Sequence, residues 1–440
     1  MAEGKSENFK QELNGIMVER IRPKIHLSDL HTDILSRIIS LLPSKEAART
    51  SVLSNHWKNI WCSQENLVFR FGSVLSTHYH FKRFWTLDGQ RLNKELFIER
   101  VDAVLKQRSG LGVQTMAVFF DLENEHADHI DRWLNFALAS KTKQLILDFQ
   151  PHLPKQALYN FPFELFSAAN SLQLQALKLS TVSLKLPPNF NGFQKLQKLK
   201  LEYTNVSDED MQTLVSNCNS LISLGIIHCG MITRLDTSHP LNQLKHLQVE
   251  TCTMLQDIQL NVGLIKLEYE GPLIPLAPPG PFLITNIWMK LSDIDSALQY
   301  IFTKLPSTLP RLETLTVNCS ELKKTILPEK TVKFMYLKHL RLELTFPKPP
   351  RKADMFDFAC LLEAAPLLDT LELHIANLIV KIMVSYGAKD QVAMEYLRKE
   401  DHRNVLDVHE ILIEDVKKRE IYEIMEDRWV REPKTTLSYF

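Results

Sequence analysis

One short phrase of apolar residues recurs along most of this 440-residue chain. From about residue 110 onward, the pattern apolar-x-x-apolar-x-apolar appears eleven times at intervals of about 20 to 32 residues, which is the spacing of leucine-rich repeats. Alternation at period two places the apolar side chains on one side of a short strand and the intervening ones on the other. The central apolar residues are Met116, Leu145, Leu177, Leu199, Leu224, Leu247, Leu267, Ile287, Leu315, Leu340 and Leu371.

Stacking these strands in parallel buries a continuous ladder of leucines and leaves the alternate side chains facing solvent. One connection also carries a helix signal, because Ser207 is a candidate N-cap followed by three acidic residues in the first turn. Cys229 and Cys252 follow their strands at a position where such repeats prefer Asn or Cys, so we interpret them as buried structural thiols. We therefore predict an α/β fold in which residues 111–376 form a leucine-rich-repeat solenoid with a parallel concave sheet.

The stretch ILSRIISLLPSKEAARTSVLSNHWKNIW, residues 34–61, has a different pattern. Its first apolar residues form a helical stripe wider than one small neighbour can cover. Pro43 ends that helix, and Ser44 and Ser54 are candidate N-caps of two more. Three short helices in about thirty residues cannot bury so much apolar surface among themselves. The excess must be covered by another protein or by the rest of this chain, and the residues alone favour neither.

Residues 29–61 resemble an F-box, in the plant form in which LP-x-D-I-L is followed by LP-[ST]-K-E-A and V-L-S-x-R-W. The resemblance implies that the excess apolar surface binds the Skp-type adaptor of a cullin-RING ubiquitin ligase. His31 stands where the family usually has proline, and His56 where it usually has arginine; both departures bear on the strength of adaptor binding. Carried over by position, the adaptor-contacting candidates are Leu30, Ile34, Leu35, Ile38, Leu42, Pro43, Val52, Leu53 and Trp57.

Charge and composition narrow the classes of partner. The chain has 52 basic and 52 acidic residues, so its net charge favours neither nucleic acid nor an anionic membrane surface. The same neutrality opposes a helix-turn-helix DNA-binding unit at residues 34–61. The first twenty residues mix both charge signs without an apolar stretch, so we expect no signal peptide. With only six cysteines, a disulfide scaffold is not expected, and we expect a cytoplasmic and/or nuclear protein.

Motifs for catalysis do not stand out in this sequence. The GKS triplet at residues 4–6 lacks the earlier glycine of a phosphate-binding loop, and we find no nucleophile-elbow pattern. His126 and His129 have a spacing that suits a metal, but no further ligands follow nearby. We expect no catalytic residue, no metal site and no cofactor.

The alternate positions of the predicted strands offer a candidate client-binding surface. If the strands stack in register, these positions form two columns, one of which is acidic in its middle. The surface is either a solvated sheet without a ligand or a face that binds a partner protein presenting basic groups. The candidate client-binding residues are Lys200, Glu202, Gln248, Glu250, Glu268, Glu270, Arg341 and Glu343.

These patterns divide the chain into an N-terminal segment (1–24), an F-box (25–65), a linker or solenoid N-cap (66–110), the repeats (111–376) and a divergent helical tail or cap (377–440). The combination resembles the plant F-box/leucine-rich-repeat family. That resemblance implies a non-catalytic substrate-recognition subunit of a Skp–cullin–F-box ubiquitin ligase, in which the F-box docks the adaptor, and through it a cullin, while the repeats bind a client protein. The alternative is a leucine-rich-repeat interaction scaffold that takes no part in ubiquitylation.

Overall fold

The chain divides into two compact units, residues 1–64 and residues 65–440. The computed structural model describes residues 27, 30–42, 44–74, 87–108, 112–149, 157–238, 241–276, 282–291, 294–319, 332–344, 364–375, 378–383 and 421–422.

The described part of the N-terminal unit contains three helices, α1 (Thr32–Ser40), α2 (Ser44–Thr50) and α3 (Asn55–Cys62). His31 is the N-cap of α1, and its Nδ1 accepts a hydrogen bond from the Asp33 backbone N–H at 3.4 Å. The φ of His31 is −60°, which lies within the range that proline requires. Histidine at this position therefore keeps the backbone geometry that the family's usual proline would adopt.

A small apolar core holds these helices. Ser54 caps α3 as predicted, with its hydroxyl accepting from the Trp57 N–H at 3.3 Å. The Gln64 side-chain amide donates to the Ser36 carbonyl at 3.3 Å and so ties the chain after α3 to α1. The buried apolar residues are Leu35, Ile39, Ala47, Trp57, Ile60 and Trp61.

The second unit is organised by one large sheet, in which the described strands follow one another in chain order. Twelve strands run parallel, and the last two join antiparallel. The strands are β1 (Asn66–Arg70), β2 (Thr115–Phe119), β3 (Gln144–Asp148), β4 (Ala176–Ser180), β5 (Lys198–Glu202), β6 (Ser223–Ile227), β7 (His246–Glu250), β8 (Lys266–Gly271), β9 (Asn286–Leu291), β10 (Thr314–Cys319), β11 (His339–Leu344), β12 (Thr370–Ile375), β13 (Leu378–Met383) and β14 (Ile421–Tyr422).

The predicted leucine ladder is confirmed. Leu224, Leu247 and Leu267 are aligned across β6, β7 and β8 and are buried. Each of the eleven phrases forms one of the strands from β2 to β12. The buried apolar residues on this side of the sheet belong to one continuous core, as expected when each repeat buries its apolar face against its neighbours.

The sheet begins one strand earlier than the repeats predict. β1 lies within the segment 66–110, and its Leu67 and Phe69 are in register with Met116 and Val118 of β2. This strand does not match the repeated phrase, because Gln64 stands where the first apolar residue of the phrase would be.

Helices and short strands connect the repeats. Ser207 is confirmed as the N-cap of a helix, because its hydroxyl accepts from the Asp210 N–H at 3.1 Å. Two short parallel pairs lie outside the large sheet, Tyr159–Asn160 with Val182–Ser183 and Arg234–Asp236 with Asp257–Gln259. The helices are α4 (Phe71–Val74), α5 (Leu87–Lys106), α6 (Ala127–Ala139), α7 (Asp208–Asn217), α8 (Ile294–Thr303) and α9 (Leu305–Thr308), with 3₁₀ turns at Asn124–His126 and Phe163–Leu165.

The prediction of a helical tail from residue 377 is wrong for the residues that the structure describes there. Leu378–Met383 forms β13, which pairs antiparallel with β12, and Ile421–Tyr422 pairs in turn with β13. The segment LIVKIM is rich in apolar and β-branched residues, which favour a strand. The unpaired edge of β12 supplies the backbone groups with which such a strand can pair. The rest of the predicted tail lies outside the described residues.

Candidate docking surfaces

Large apolar side chains are exposed on the N-terminal unit. Val52 and Leu53, in the turn between α2 and α3, are 84% and 67% exposed. Leu41 and Leu42 at the end of α1 are also exposed, as is Ile34 in its first turn. We call Ile34, Leu41, Leu42, Val52 and Leu53 the exposed apolar set.

The structure separates the predicted adaptor contacts into two groups. Ile34, Leu42, Val52 and Leu53 belong to the exposed apolar set, and Leu30 and Ile38 are half-buried. Leu35 and Trp57, by contrast, are buried in the described chain, so they support the helices and do not offer apolar surface to a partner. Pro43 lies outside the described residues.

Leu41 and His56 lie beside the predicted adaptor contacts and are both exposed. Leu41 was not among the predicted contacts, although its place seven residues after Ile34 puts it on the same helical stripe. His56, the departure before Trp57, is exposed in α3. Both helices that carry these histidines are capped at their N-termini, by His31 and by Ser54.

The strand registers confirm the two predicted columns on the outward face of the sheet. In the first column, Gln248 of β7 is aligned with Glu268 of β8, and in the second, Glu250 with Glu270. The same register continues to both sides. We call the following side chains the charged face: Lys178, Lys200, Gln248, Glu268, Trp288, Thr316, Arg341 and Glu372 in the first column, and Glu202, Ile227, Glu250, Glu270, Lys290, Asn318, Glu343 and His374 in the second.

Glu202 is the most deeply buried acid of this face. Its carboxylate lies 2.9 Å from the Lys178 Nζ and 3.0 Å from the Lys200 Nζ, and Lys178 also lies 3.3 Å from the Asp148 carboxylate. Burial raises the pKa of Glu202, but the hydrogen bonds and charges of the two lysines outweigh it and hold the pKa below its usual value. These four charges compensate one another within the protein.

The acids in the middle and at the far end of the face are also paired. Glu270 lies 2.8 Å from the Lys290 Nζ, and Glu343 lies 2.6 Å from the Arg341 guanidinium. Glu268 pairs with Lys266 and with His246. The acidic centre expected from the sequence is therefore largely neutralised by the chain's own cations. One of these cations, Lys290, was not predicted as part of this face, and neither was the aromatic Trp288 on the same strand. Both could have been found from the phrase ITNIWM, at the offsets used for the other strands.

Glu250 differs from the other acids of the charged face. Its carboxylate accepts a hydrogen bond from the Gln248 amide at 2.7 Å. Across the residues that the structure describes, no cation lies within ion-pair distance of it, whereas Glu202, Glu268, Glu270 and Glu343 each have at least one. Among the described side chains, the negative charge of Glu250 in the middle of the sheet is thus not matched by a cation.

One residue with a left-handed backbone conformation follows each of the strands β4 to β7. Thr181, Tyr203, His228 and Thr251 have φ values of 59°, 51°, 52° and 52°. Their N–H groups continue the ladder by donating to the next strand, as His228 does to the Glu250 carbonyl at 2.8 Å. Non-glycine residues seldom adopt this conformation. Tyr203 and His228 nevertheless carry rings there, stacked with centroids 4.3 Å apart and planes 10° apart.

The two cysteines of the repeats are buried, which confirms their interpretation as structural thiols. The Cys229 Sγ lies 3.0 Å from the Thr204 hydroxyl. Within the described ranges, no cluster of three or more His, Cys, Asp or Glu side chains is arranged to hold a metal ion. His129 instead pairs with Asp102, at 2.8 Å. The described helices include none with the length and apolar character needed to cross a bilayer.

Comparison with known families agrees with this two-part arrangement. Residues 27–69 match the F-box domain model, and residues 104–413 match the model described as At1g61320/AtMIF1, LRR domain. The chain belongs to the plant F-box/leucine-rich-repeat family. In this F-box/leucine-rich-repeat protein, the F-box match contains all of the exposed apolar set, and the repeat match contains the whole charged face.

Similar proteins are found in Arabidopsis thaliana. The chain is 29% identical to the putative F-box/LRR-repeat protein At3g18150 over 51% of its own length and 42% of that protein. It is 26% identical to the putative F-box/FBD/LRR-repeat protein At5g62970 over 65% of its length and 64% of that protein. It is 27% identical to the F-box protein At5g03100 over 51% of its length and 62% of that protein. The chain therefore covers less than two thirds of each of these relatives.

Proposed function

We propose that this protein is the substrate-recognition subunit of a Skp–cullin–F-box ubiquitin ligase. The observation that carries the proposal is the exposure of Leu41, Val52 and Leu53 on a helical unit that matches the F-box model. Exposed apolar surface of this kind marks a site for another protein. The Skp-type adaptor, and through it a cullin, is the partner that we assign to this surface.

Burial of the exposed apolar set would supply the binding energy. Moving one valine or leucine side chain out of water contributes about 1.5 to 3 kcal/mol, although part of the sum is lost to the cost of association. Leu35 and Trp57 act indirectly, because their burial fixes the helices that present the exposed side chains.

The repeats would hold the client. The charged face offers fixed polar side chains in two columns, and we assign client binding to it. The chain itself would carry out no chemistry: it would bring the client close to the ubiquitin-transferring subunits, so that its contribution to rate is proximity. We assign this function to the cytoplasm and/or nucleus, in keeping with the five free cysteines of the described residues.

A capture experiment with purified Skp-type adaptor tests the proposal. The double variant Val52→Glu, Leu53→Glu removes the two most exposed side chains of the turn, and Asn59→Glu, at an exposed polar position in α3, is the matched control. We expect the wild type and the control to retain the adaptor and the double variant to lose it. Equal retention by all three, or none by the wild type, would contradict the proposal.

The second candidate is a leucine-rich-repeat scaffold without a ligase role, and the exposed His56 is the observation that favours it. If this departure from the family's arginine has abolished docking, the wild type fails to capture the adaptor and His56→Arg restores capture. Failure of both proteins would leave the scaffold as the function of the chain.

A further inference from the structure

We infer that one edge of the charged face recognises a client segment in which an arginine or lysine stands next to or near an apolar side chain. The inference rests on the proposed function, since it names the chemistry of the client that the repeats would hold. The site consists of Tyr203, His228, Met231, Glu250 and Met254, which we call the rim patch. All five lie in or just after the strands β5 to β7.

The aromatic part of the rim patch is a stacked pair at strained positions. Tyr203 is 46% exposed and stacks on His228. Because four consecutive repeats turn through a positive φ here, the fold itself requires the conformation. Glycine or asparagine adopts this conformation at the lowest cost. The turn alone therefore does not explain why aromatic side chains, Tyr203 and His228, occupy two of the four positions. An exposed aromatic surface held in this way suits contact with a partner.

Two exposed methionines lie in the loops that follow β6 and β7. Met231 follows His228 by three residues, and Met254 follows Thr251 by three, so they occupy equivalent places in adjacent repeats. The loops that carry them are stacked, because a side-chain carbon at Gly230 would lie 4.0 Å from the Thr253 hydroxyl. Both methionines are more than half exposed, at 56% and 52%. Flexible thioether side chains adapt to varied apolar partners.

The negative charge of Glu250 determines which charged side chain of the client would bind beside the apolar one. The backbone carbonyl of Glu250 accepts a hydrogen bond from the His228 N–H at 2.8 Å, so the two residues are neighbours at the ends of β6 and β7. The other acids of the charged face already have cations, whereas Glu250 has only the Gln248 amide among the described residues. A cationic side chain from a partner would complete at Glu250 the pairing that its neighbours make within the chain.

The dimensions of the patch favour an extended peptide. The strands β5 to β7 span two strand spacings, about 10 Å, which an extended chain covers in about three residues. One short peptide segment can therefore place an apolar side chain against Tyr203 and the two methionines and a basic side chain against Glu250.

A positional-scanning library of nine-residue peptides, probed with the purified full chain, tests the inference. We expect selection for Arg or Lys at one position of about threefold, together with selection for apolar residues close by. Glu250→Gln should abolish the basic selection and keep the apolar one, and Tyr203→Ala should weaken the apolar one. Glu209→Gln, at an exposed acid of α7, is the matched control and should change neither.

Charge reversal provides a test that does not depend on loss of binding. Glu250→Lys should convert the preference from Arg or Lys to Asp or Glu. No basic selection by the wild type, or basic selection that survives in both Glu250 variants, would overturn the inference. Adaptor capture is measured on the same protein samples, to test the proposed function separately. Loss of peptide selection with intact capture would contradict only the rim-patch inference. Loss of capture with intact peptide selection would contradict only the proposed ligase role.

Discussion

The Glu268 carboxylate lies 3.3 Å from the Nε2 atom of His246, which stands on the neighbouring strand. Lys266 pairs with the same carboxylate from its own strand. The contact with His246 is the largest cause that lowers the pKa of Glu268, to about 2. Lys266 also lowers this pKa, and burial opposes both effects. An acid in the centre of the charged face is thus committed to contacts within the protein.

This pairing predicts how the stability of the repeats depends on pH. The pKa of Glu268 is lower in the folded chain than its usual 4.5, so its stabilisation is complete above pH 4.5 and is lost as the pH falls towards 2. Between pH 7 and pH 4, linkage gives a loss of about 1 kcal/mol in the free energy of unfolding. Urea unfolding at both pH values should show this loss in the wild type and a smaller one in Glu268→Gln. An equal loss in the two proteins would show that Glu268 is not stabilised in this way.

Leu35 and Val52 should affect adaptor binding by different routes. Leu35 is fully buried, so Leu35→Ala should destabilise the N-terminal unit by about 2 to 5 kcal/mol and reduce binding through unfolding. Val52→Glu should leave thermal unfolding unchanged and weaken adaptor binding directly by about tenfold or more. Circular dichroism and a titration of the adaptor measure the two effects. A loss of helix in Val52→Glu, or an unaltered stability in Leu35→Ala, would contradict this division.

The leucine ladder predicts a strong effect at its centre. Leu247 is fully buried between Leu224 and Leu267, and Leu247→Ala should lower the free energy of unfolding by about 2 to 5 kcal/mol. Gln248→Ala, one residue later on the outward face, should change it by about 0.5 kcal/mol or less. Chemical unfolding followed by circular dichroism measures both. Similar values for the two variants would argue against the assigned direction of these side chains.

The buried thiols should be unreactive in the folded protein. The neighbouring Cys252 thiol is the largest cause that lowers the pKa of Cys229, and Thr204 adds to this effect, while burial opposes it. A thiolate reacts only if the reagent can reach it, and both thiols are buried. Peptide mapping after brief alkylation should find modification at the half-buried Cys62 before Cys229 or Cys252. Rapid alkylation of Cys229 without denaturant would show that this part of the repeat opens.

The sequence contained most of the information needed for the solenoid. When strands with alternating apolar residues stack in parallel, the apolar side chains of every strand must lie on the same buried side of the sheet. The alignment of Leu224, Leu247 and Leu267 therefore follows from the sequence alone. The pattern failed where a strand lacked its first apolar residue, as in β1, and where an edge strand paired without repeat spacing, as in β13. In both cases pairing with a neighbouring strand decided the structure.

The candidate sites were less predictable, because they depend on side-chain neighbours. Leu35 and Trp57 have the same apolar character as Ile34 and Leu42, and only the packing of the helices shows which of them are buried. The charges of Glu268 and Glu250 are identical in the sequence, but the side chains around them pair with Glu268 and leave Glu250 without a cation among the described residues. The stack of Tyr203 on His228 depends on a backbone turn that no residue preference indicated.

The most direct test of the account is a calorimetric titration of a purified Skp-type adaptor into this protein. We predict a one-to-one complex for the wild type and for Asn59→Glu, with no measurable binding for the double variant Val52→Glu, Leu53→Glu at unchanged helix content. If the wild type fails to bind, or if the double variant binds as tightly as the wild type, then the exposed apolar set is not an adaptor-binding surface and the assignment to ubiquitin ligation is contradicted.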